Sequence, residues 1–282
     1  VKKILIFIFI ISLSSAALAK SIWEAQKKPI AGKAESIGTY SLGCVVGADT
    51  IPMDGYGYQV MRPARDRNHA HPKMKDYIFS LARDVKNKLK GVLMVGDVGL
   101  PAGGPFSYGH RSHQIGLDGD FWFWHPPAAK KRSLSRVERD KISAISMVDH
   151  RKKQVSKNWG AYQRNMLKIA ASYEQVDRIF VNAVIKRELC KTDKGAGWLG
   201  KIRPWLGHDH HFHVRLKCPD GDKDCKTPEG YEPIKGDGCD ETLDWWFKKP
   251  TKAEIAEWKK KQAEEKKKPK PKLPERCLKL VE

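Results

Sequence analysis

Hydrophobic and polar positions change period several times along this chain of 282 residues. Within residues 76–89, Ile78, Leu81, Val85 and Leu89 recur at three- and four-residue steps, which predicts a helix with one buried face. Residues 91–97 form an apolar run between glycine and aspartate, which predicts a buried strand. A Gly/Pro loop follows at 99–109, with Gly103-Gly104 inside it. Residues 117–124 predict a strand, 159–171 a helix, and 178–182 a short strand running into a helix that ends near Leu189. Residues 211–216 predict another strand. Residues 20–43 read as a polar lead-in, and 220–238 as a polar loop between cysteines. Beyond Pro250 the chain has helical propensity, then becomes proline-rich from Pro269. There is no internal repeat. Strands and helices mix without regular alternation, which predicts an α+β fold: one domain with a central antiparallel sheet, flanked by helices and long loops.

Composition narrows this picture. With 40% hydrophobic and 30% charged residues, the chain can build a core and is too apolar to be disordered. The formal net charge is +20, and it is segmental. Residues 130–168 hold 12 basic and 3 acidic side chains, and residues 251–282 hold 11 and 6. Such charge admits nucleic acid, anionic lipid or another polyanion; a solvated face is the simpler account of the tail. Lys2 and Lys3 precede an apolar stretch at residues 4–13, and Ala17-Leu18-Ala19 closes it. This predicts a secretory signal peptide, residues 1–19, cleaved after Ala19. The apolar core is about half a bilayer span, so no stable membrane span is expected after cleavage. The predicted organisation is then a folded domain at 20–250 and a basic Lys/Pro-rich extension at 251–282, tethered if Cys277 pairs back to the body.

Export changes how the cysteines read. Six in an exported chain point to three disulfides, with 15 pairings open and spacing favouring only Cys218–Cys225. No Cys-x-x-Cys pair is present, which argues against thiolate zinc binding.

The ten histidines cluster. His69 and His71 share one loop, and His110 and His113 end the Gly-rich loop. His208, His210, His211 and His213 crowd together. On a strand, His211 and His213 point to one face and Phe212 to the other. His113, followed by Asp120 in the next strand, can complete a site with His213. Imidazole and carboxylate suit zinc, and three protein ligands leave a fourth position open. An open zinc site lowers the pKa of water to about 7. A single histidine is more simply a surface or core residue; the set favours metal.

The stretches GHRSHQIGLDGD and RPWLGHDHHFHVRLKCP resemble the penicillin-insensitive murein endopeptidases. These are relatives of the lysostaphin-type and D-Ala-D-Ala zinc peptidases, which share His, six residues, Asp, then a later His-x-His. SLGCVVGADTIP, YQVMR, GDVGLPAGG and RIFVN extend the likeness over about residues 36–247. Arg111 and Asp118 stand where the dipeptidase branch has Ser and Ala, which favours the endopeptidase branch. The resemblance implies zinc ligands His113, Asp120 and His213, a catalytic His211, and His208 as a further active-site residue. It implies one zinc per chain, with a candidate second metal site at His110, Asp149 and His150; Asp149 and His150 are adjacent here, whereas the family has two residues between them. It also implies the pairs Cys44–Cys277, Cys190–Cys239 and Cys218–Cys225. The implied reaction is hydrolysis of the D-alanyl–meso-diaminopimelyl cross-link of peptidoglycan in the periplasm, by zinc-activated water and insensitive to penicillin. Arg111 and Arg215 are candidates for pairing with stem-peptide carboxylates, although salt bridging is the simpler role for each. A homodimer is left open.

Two rivals stand beside this reading. A non-catalytic wall-binding protein would not need an open metal site. A secreted nuclease would show salt-sensitive DNA binding, but no nucleic-acid motif is present. A calcium loop at 220–231 fails because Tyr231 replaces the required Glu.

Overall fold

The computed structural model describes residues 22–228, 231, 235–269 and 271–282. The expected signal peptide, residues 1–19, lies outside them. The first two strands considered, β1 (Glu35–Thr39) and β2 (Leu42–Val46), form an antiparallel hairpin. The sequence reading takes most of this segment for a polar lead-in. It is buried because other parts of the chain cover it. Val45 donates its amide to the Ala102 carbonyl (3.0 Å), Ser36 donates its hydroxyl to Ile115 (2.8 Å), and Cys44 is bonded to Cys277.

A seven-stranded sheet organises the rest. Its strands in chain order are β3 (Asp54–Gly55), β4 (Tyr58–Val60), β5 (Leu93–Val95), β6 (Asp118–Trp122), β7 (Val176–Val181), β8 (Ile202–Pro204) and β9 (His211–Leu216). They lie side by side as β8-β7-β9-β6-β5-β4-β3. The sheet is mixed rather than wholly antiparallel: β4 with β5 and β7 with β8 run parallel, and the other pairs antiparallel. The reason is connectivity, since a parallel pair needs a long crossover. Helix α1 (Pro72–Leu89) lies between β4 and β5 in the chain. After helix α2 (Ala161–Ser172), helix α3 (Ala183–Asp193) lies between β7 and β8.

Helix α1 begins four residues before the predicted start, with Pro at its first position and His71 capping it by accepting from the Lys73 amide at 3.1 Å. It ends at Lys90, in the left-handed conformation at φ 53°. Its face of Met74, Tyr77, Ile78, Leu81 and Val85 is buried together with Met166, Leu167 and Ala170 of α2 and with Phe121, Phe212 and Val214 of the sheet. This is the main core.

A second core joins the two ends of the described chain. Trp23, Ile37, Phe106, Cys277 and Val281 pack together. Helix α4 (Lys252–Lys267) has no buried residue, yet the chain beyond it returns to this cluster. All six cysteines are bonded, as Cys44–Cys277, Cys190–Cys239 and Cys218–Cys225. Among the described residues, no helix is long and apolar enough to cross a membrane.

Candidate metal centre

The site is built on two neighbouring central strands. In the register of β6 with β9, Asp120 pairs with His213, Asp118 with Arg215 and Trp122 with His211. Strand alternation sends these six side chains to one face. Gly119, Phe121, Phe212 and Val214 take the other face, where the three bulky ones join the main core. The Gly-rich loop then carries His110 and His113 over the first face. It can pass there because Gly103 and Gly104 hold φ of 66° and 75°, and a Cβ at Gly104 would sit 2.1 Å from the Trp23 ring.

His110, His113, Asp120 and His213 each offer a ligand atom, and these atoms lie within 4.8 Å of one another. Two of the rings are fixed from behind. His113 Nδ1 donates to the Val98 carbonyl (2.8 Å), which leaves Nε2 to face Asp120 Oδ1 at 3.5 Å. His213 Nε2 donates to Asp118 Oδ1 (2.8 Å), which turns Nδ1 toward Asp120 Oδ1 at 3.3 Å. Outer partners of this kind set the tautomer and orientation of metal-binding histidines. His113 Nε2 and Asp120 Oδ1 are buried and have no hydrogen-bond partner. Buried polar atoms left unpaired are costly, so two that face each other fit a cation between them.

Asp118 is the anchor of the arrangement. It is fully buried and also accepts from Arg215 Nε (2.8 Å) and from the His113 amide (3.0 Å). Burial pushes its carboxyl upward, but the Arg215 guanidinium and the His213 ring outweigh that and hold it far below the usual range. Arg215 is therefore committed to Asp118 and is not free for substrate, whereas Arg111 is exposed. Sequence alone places Asp118 beside Asp120 after His113 and marks it as a departure from the dipeptidase branch, but gives it no role in the site. Its place two residues before Asp120 on a strand was the signal that the two share a face.

His211 lies on the cleft side, with Nε2 3.7 Å from Asp120 Oδ1, buried and unpartnered. Burial pushes its pKa down to about 3, so the ring is neutral near pH 7. His208 lies 5.0 Å from the His211 ring, centroid to centroid, and donates from Nδ1 to the Leu206 carbonyl at 2.7 Å. Burial, then the nearby His213, lowers its pKa to about 4. His113 and His208 both adopt positive φ, 70° and 51°. Backbone strain of this kind gathers where surrounding structure enforces it, often at functional sites.

His110 faces Asp120 at 3.2 Å and Asp97 at 3.4 Å. Sequence reasoning missed Asp97, at the end of the predicted strand 91–97. Burial raises its carboxyl, but His110, Arg65 and Arg67 more than offset this and bring it to about 2. Asp149 and His150 are not in the four-residue group. Asp149 accepts from the Arg151 and Lys152 amides (3.0 and 3.1 Å), and His150 Nε2 lies 3.0 Å from Asp209 Oδ2.

Fold and site together define a disulfide-stapled α+β protein with a His/Asp centre fit for a metal ion. The chain belongs to the penicillin-insensitive murein endopeptidase family, whose model matches residues 36–282. Among its relatives are proteins named penicillin-insensitive murein endopeptidase. That of Klebsiella pneumoniae (strain 342) is 39% identical over 251 residues, covering 88% of this chain and 89% of its own. That of Escherichia coli O6:K15:H31 is 41% identical over 240 residues, with 84% and 85% covered. That of Yersinia enterocolitica is 40% identical over 236 residues, with 83% of each covered.

Proposed function

We propose that this chain is a zinc-dependent endopeptidase that hydrolyses the D-alanyl–meso-diaminopimelyl amide cross-link of peptidoglycan in the periplasm. Family membership supports murein as substrate. The observation that carries the metal is the convergence of His113 Nε2, Asp120 Oδ1 and His213 Nδ1, each imidazole oriented from behind. These three would hold zinc, with His110 beside them. When bound there, zinc supplies Lewis acidity and lowers the pKa of water towards neutrality.

The chain's own residues supply the proton handling. His211 Nε2 takes a proton from the attacking water and delivers it to the departing amine. His208 stands next to it as a further residue of the site, its Nδ1 proton held by the Leu206 carbonyl. The nucleophile in this reading is water and not a serine, so there is no serine acylation step for a β-lactam to block. Residues 1–19 act as the export signal, and the six bonded cysteines suit an oxidising compartment.

Mass spectrometry of purified cross-linked muropeptide dimers tests this. The mature protein should convert dimers to monomers, stop with a chelator and resume with zinc. His211→Ala should retain zinc and lose turnover by about 100-fold or more. Absence of conversion by the folded, zinc-loaded protein would sink the proposal.

A further inference from the structure

Beside the metal centre lies a cleft of about 290 Å³, with Arg62, Arg65, Asp97, His110, Asp120 and His211 among its walls. Arg62 stands out in two ways. Its backbone is left-handed, at φ 58° and ψ 46°, a costly conformation for a side-chain-bearing residue. The surrounding chain enforces it. The Met61 amide donates to Val95 (2.7 Å), the Arg62 amide to Arg139 (3.2 Å), and the Ala64 amide to Asp140 Oδ1 (3.1 Å). Arg139 is itself buried and donates to the Met53 and Val60 carbonyls at 2.7 and 2.9 Å. The turn that aims Arg62 is thus braced from both sides.

The second feature is charge. Arg65 and Arg67 both pair with Asp97, at 2.9 and 2.8 Å. Arg62 has only neutral partners: Nη1 donates to the Asp140 carbonyl (2.6 Å) and Nη2 to the Ser143 hydroxyl (3.3 Å). Among the described residues it has no acidic partner. A guanidinium carries five N–H donors, so three remain uncommitted here, and an uncommitted guanidinium edge suits a carboxylate.

We propose that Arg62 is a specificity residue that pairs with the carboxylate next to the scissile amide nitrogen. The proposal rests on the murein reading above. In the diaminopimelyl cross-link, the carbon bearing the scissile nitrogen also bears a free carboxylate. A substrate bound for hydrolysis at the metal centre therefore brings an anion within one carbon of the reacting bond. An unneutralised guanidinium on the wall of the same cleft meets that requirement. Amidation of this carboxylate removes its charge and leaves the scissile bond unchanged.

The test uses the mature zinc-loaded protein on two muropeptide dimers, one with this carboxylate free and one with it amidated. Wild type should cleave the amidated dimer with kcat/KM lower by about 100-fold, the scale set by losing a charge-assisted pair. Arg62→Gln should lose a similar factor on the free acid and almost nothing further on the amide, so that the two substrates become equivalent. Arg62→Lys should fall between. Equal cleavage of both dimers by wild type would overturn the proposal without any variant. Equal losses by Arg62→Gln on both dimers would also overturn it, by assigning Arg62 a purely structural role. Cleavage of neither dimer by wild type would instead remove the murein reading on which it rests.

Discussion

Asp118 is fully buried behind the walls of the cleft, yet it decides which nitrogen His213 presents. Its buried carboxylate accepts a hydrogen bond from His213 Nε2 at 2.8 Å, and Arg215 holds it in place. Asp118→Asn should weaken zinc binding by about 10- to 100-fold, the usual cost of losing an outer partner of a metal-bound histidine. Competition with a chromophoric chelator measures this, and unchanged affinity would refute the role. The same pair shapes the pH dependence. Burial acts to lower the His213 pKa, but Asp118 and Asp120 outweigh it and raise it above 6.5. Zinc needs the neutral ring, so binding must expel that proton. Affinity should therefore rise with pH until this raised pKa is passed, and fall by about tenfold per unit below it. In Asp118→Asn the break should move to lower pH. At this scale the sequence was informative about residue types and blind to partners. His113, Asp120 and His213 announce themselves by spacing, whereas the Val98 carbonyl behind His113 is visible only once the chain has folded.

Strands β6 and β9 place Asp120, His211 and His213 by their register. A one-residue slip would send His211 and His213 into the core and Phe212 into the cleft. What opposes the slip is the apolar side of the pair. Phe212 is fully buried, 5.5 Å from the Phe121 ring and 5.3 Å from that of Phe123. Phe212→Ala should cost about 3–5 kcal/mol in urea unfolding, and a loss below about 1 kcal/mol would show that other contacts set the register. The alternation in β9 and the helical period of α1 were both legible in the sequence, since each buries one face against the same core. The β1–β2 hairpin was not, because Gly38, Thr39, Ser41 and Gly43 interrupt its apolar positions and its burial comes from distant segments. The parallel edges of the sheet were also hidden, because strand direction is fixed by crossovers that local periodicity does not record.

Taken whole, the molecule links its carboxy-terminal end to the Gly-rich loop that carries His110 and His113. Cys44–Cys277 spans 233 positions of sequence, whereas Cys218–Cys225 spans 7. If cross-links act mainly on the unfolded chain, the first stabilises by about 5 kcal/mol and the second by about 2 kcal/mol. The long link also has a local consequence. It sits in the cluster that contains Leu100, Ala102 and Phe106 of the Gly-rich loop, and Phe106 stacks on His113 with ring centroids 5.7 Å apart. Removing the bridge therefore loosens the floor beneath one of the proposed ligands before it threatens the sheet. The double variant Cys44→Ala/Cys277→Ala should melt about 10 °C or more below wild type. Its amide protons in residues 99–113 should exchange faster at temperatures where those of β6 and β9 are still protected, with zinc released over the same interval. Cys218→Ala/Cys225→Ala should melt much closer to wild type and leave that loop protected. If the two double variants lose equal stability, or if loop and sheet exchange together, the carboxy-terminal tether does not support the metal loop.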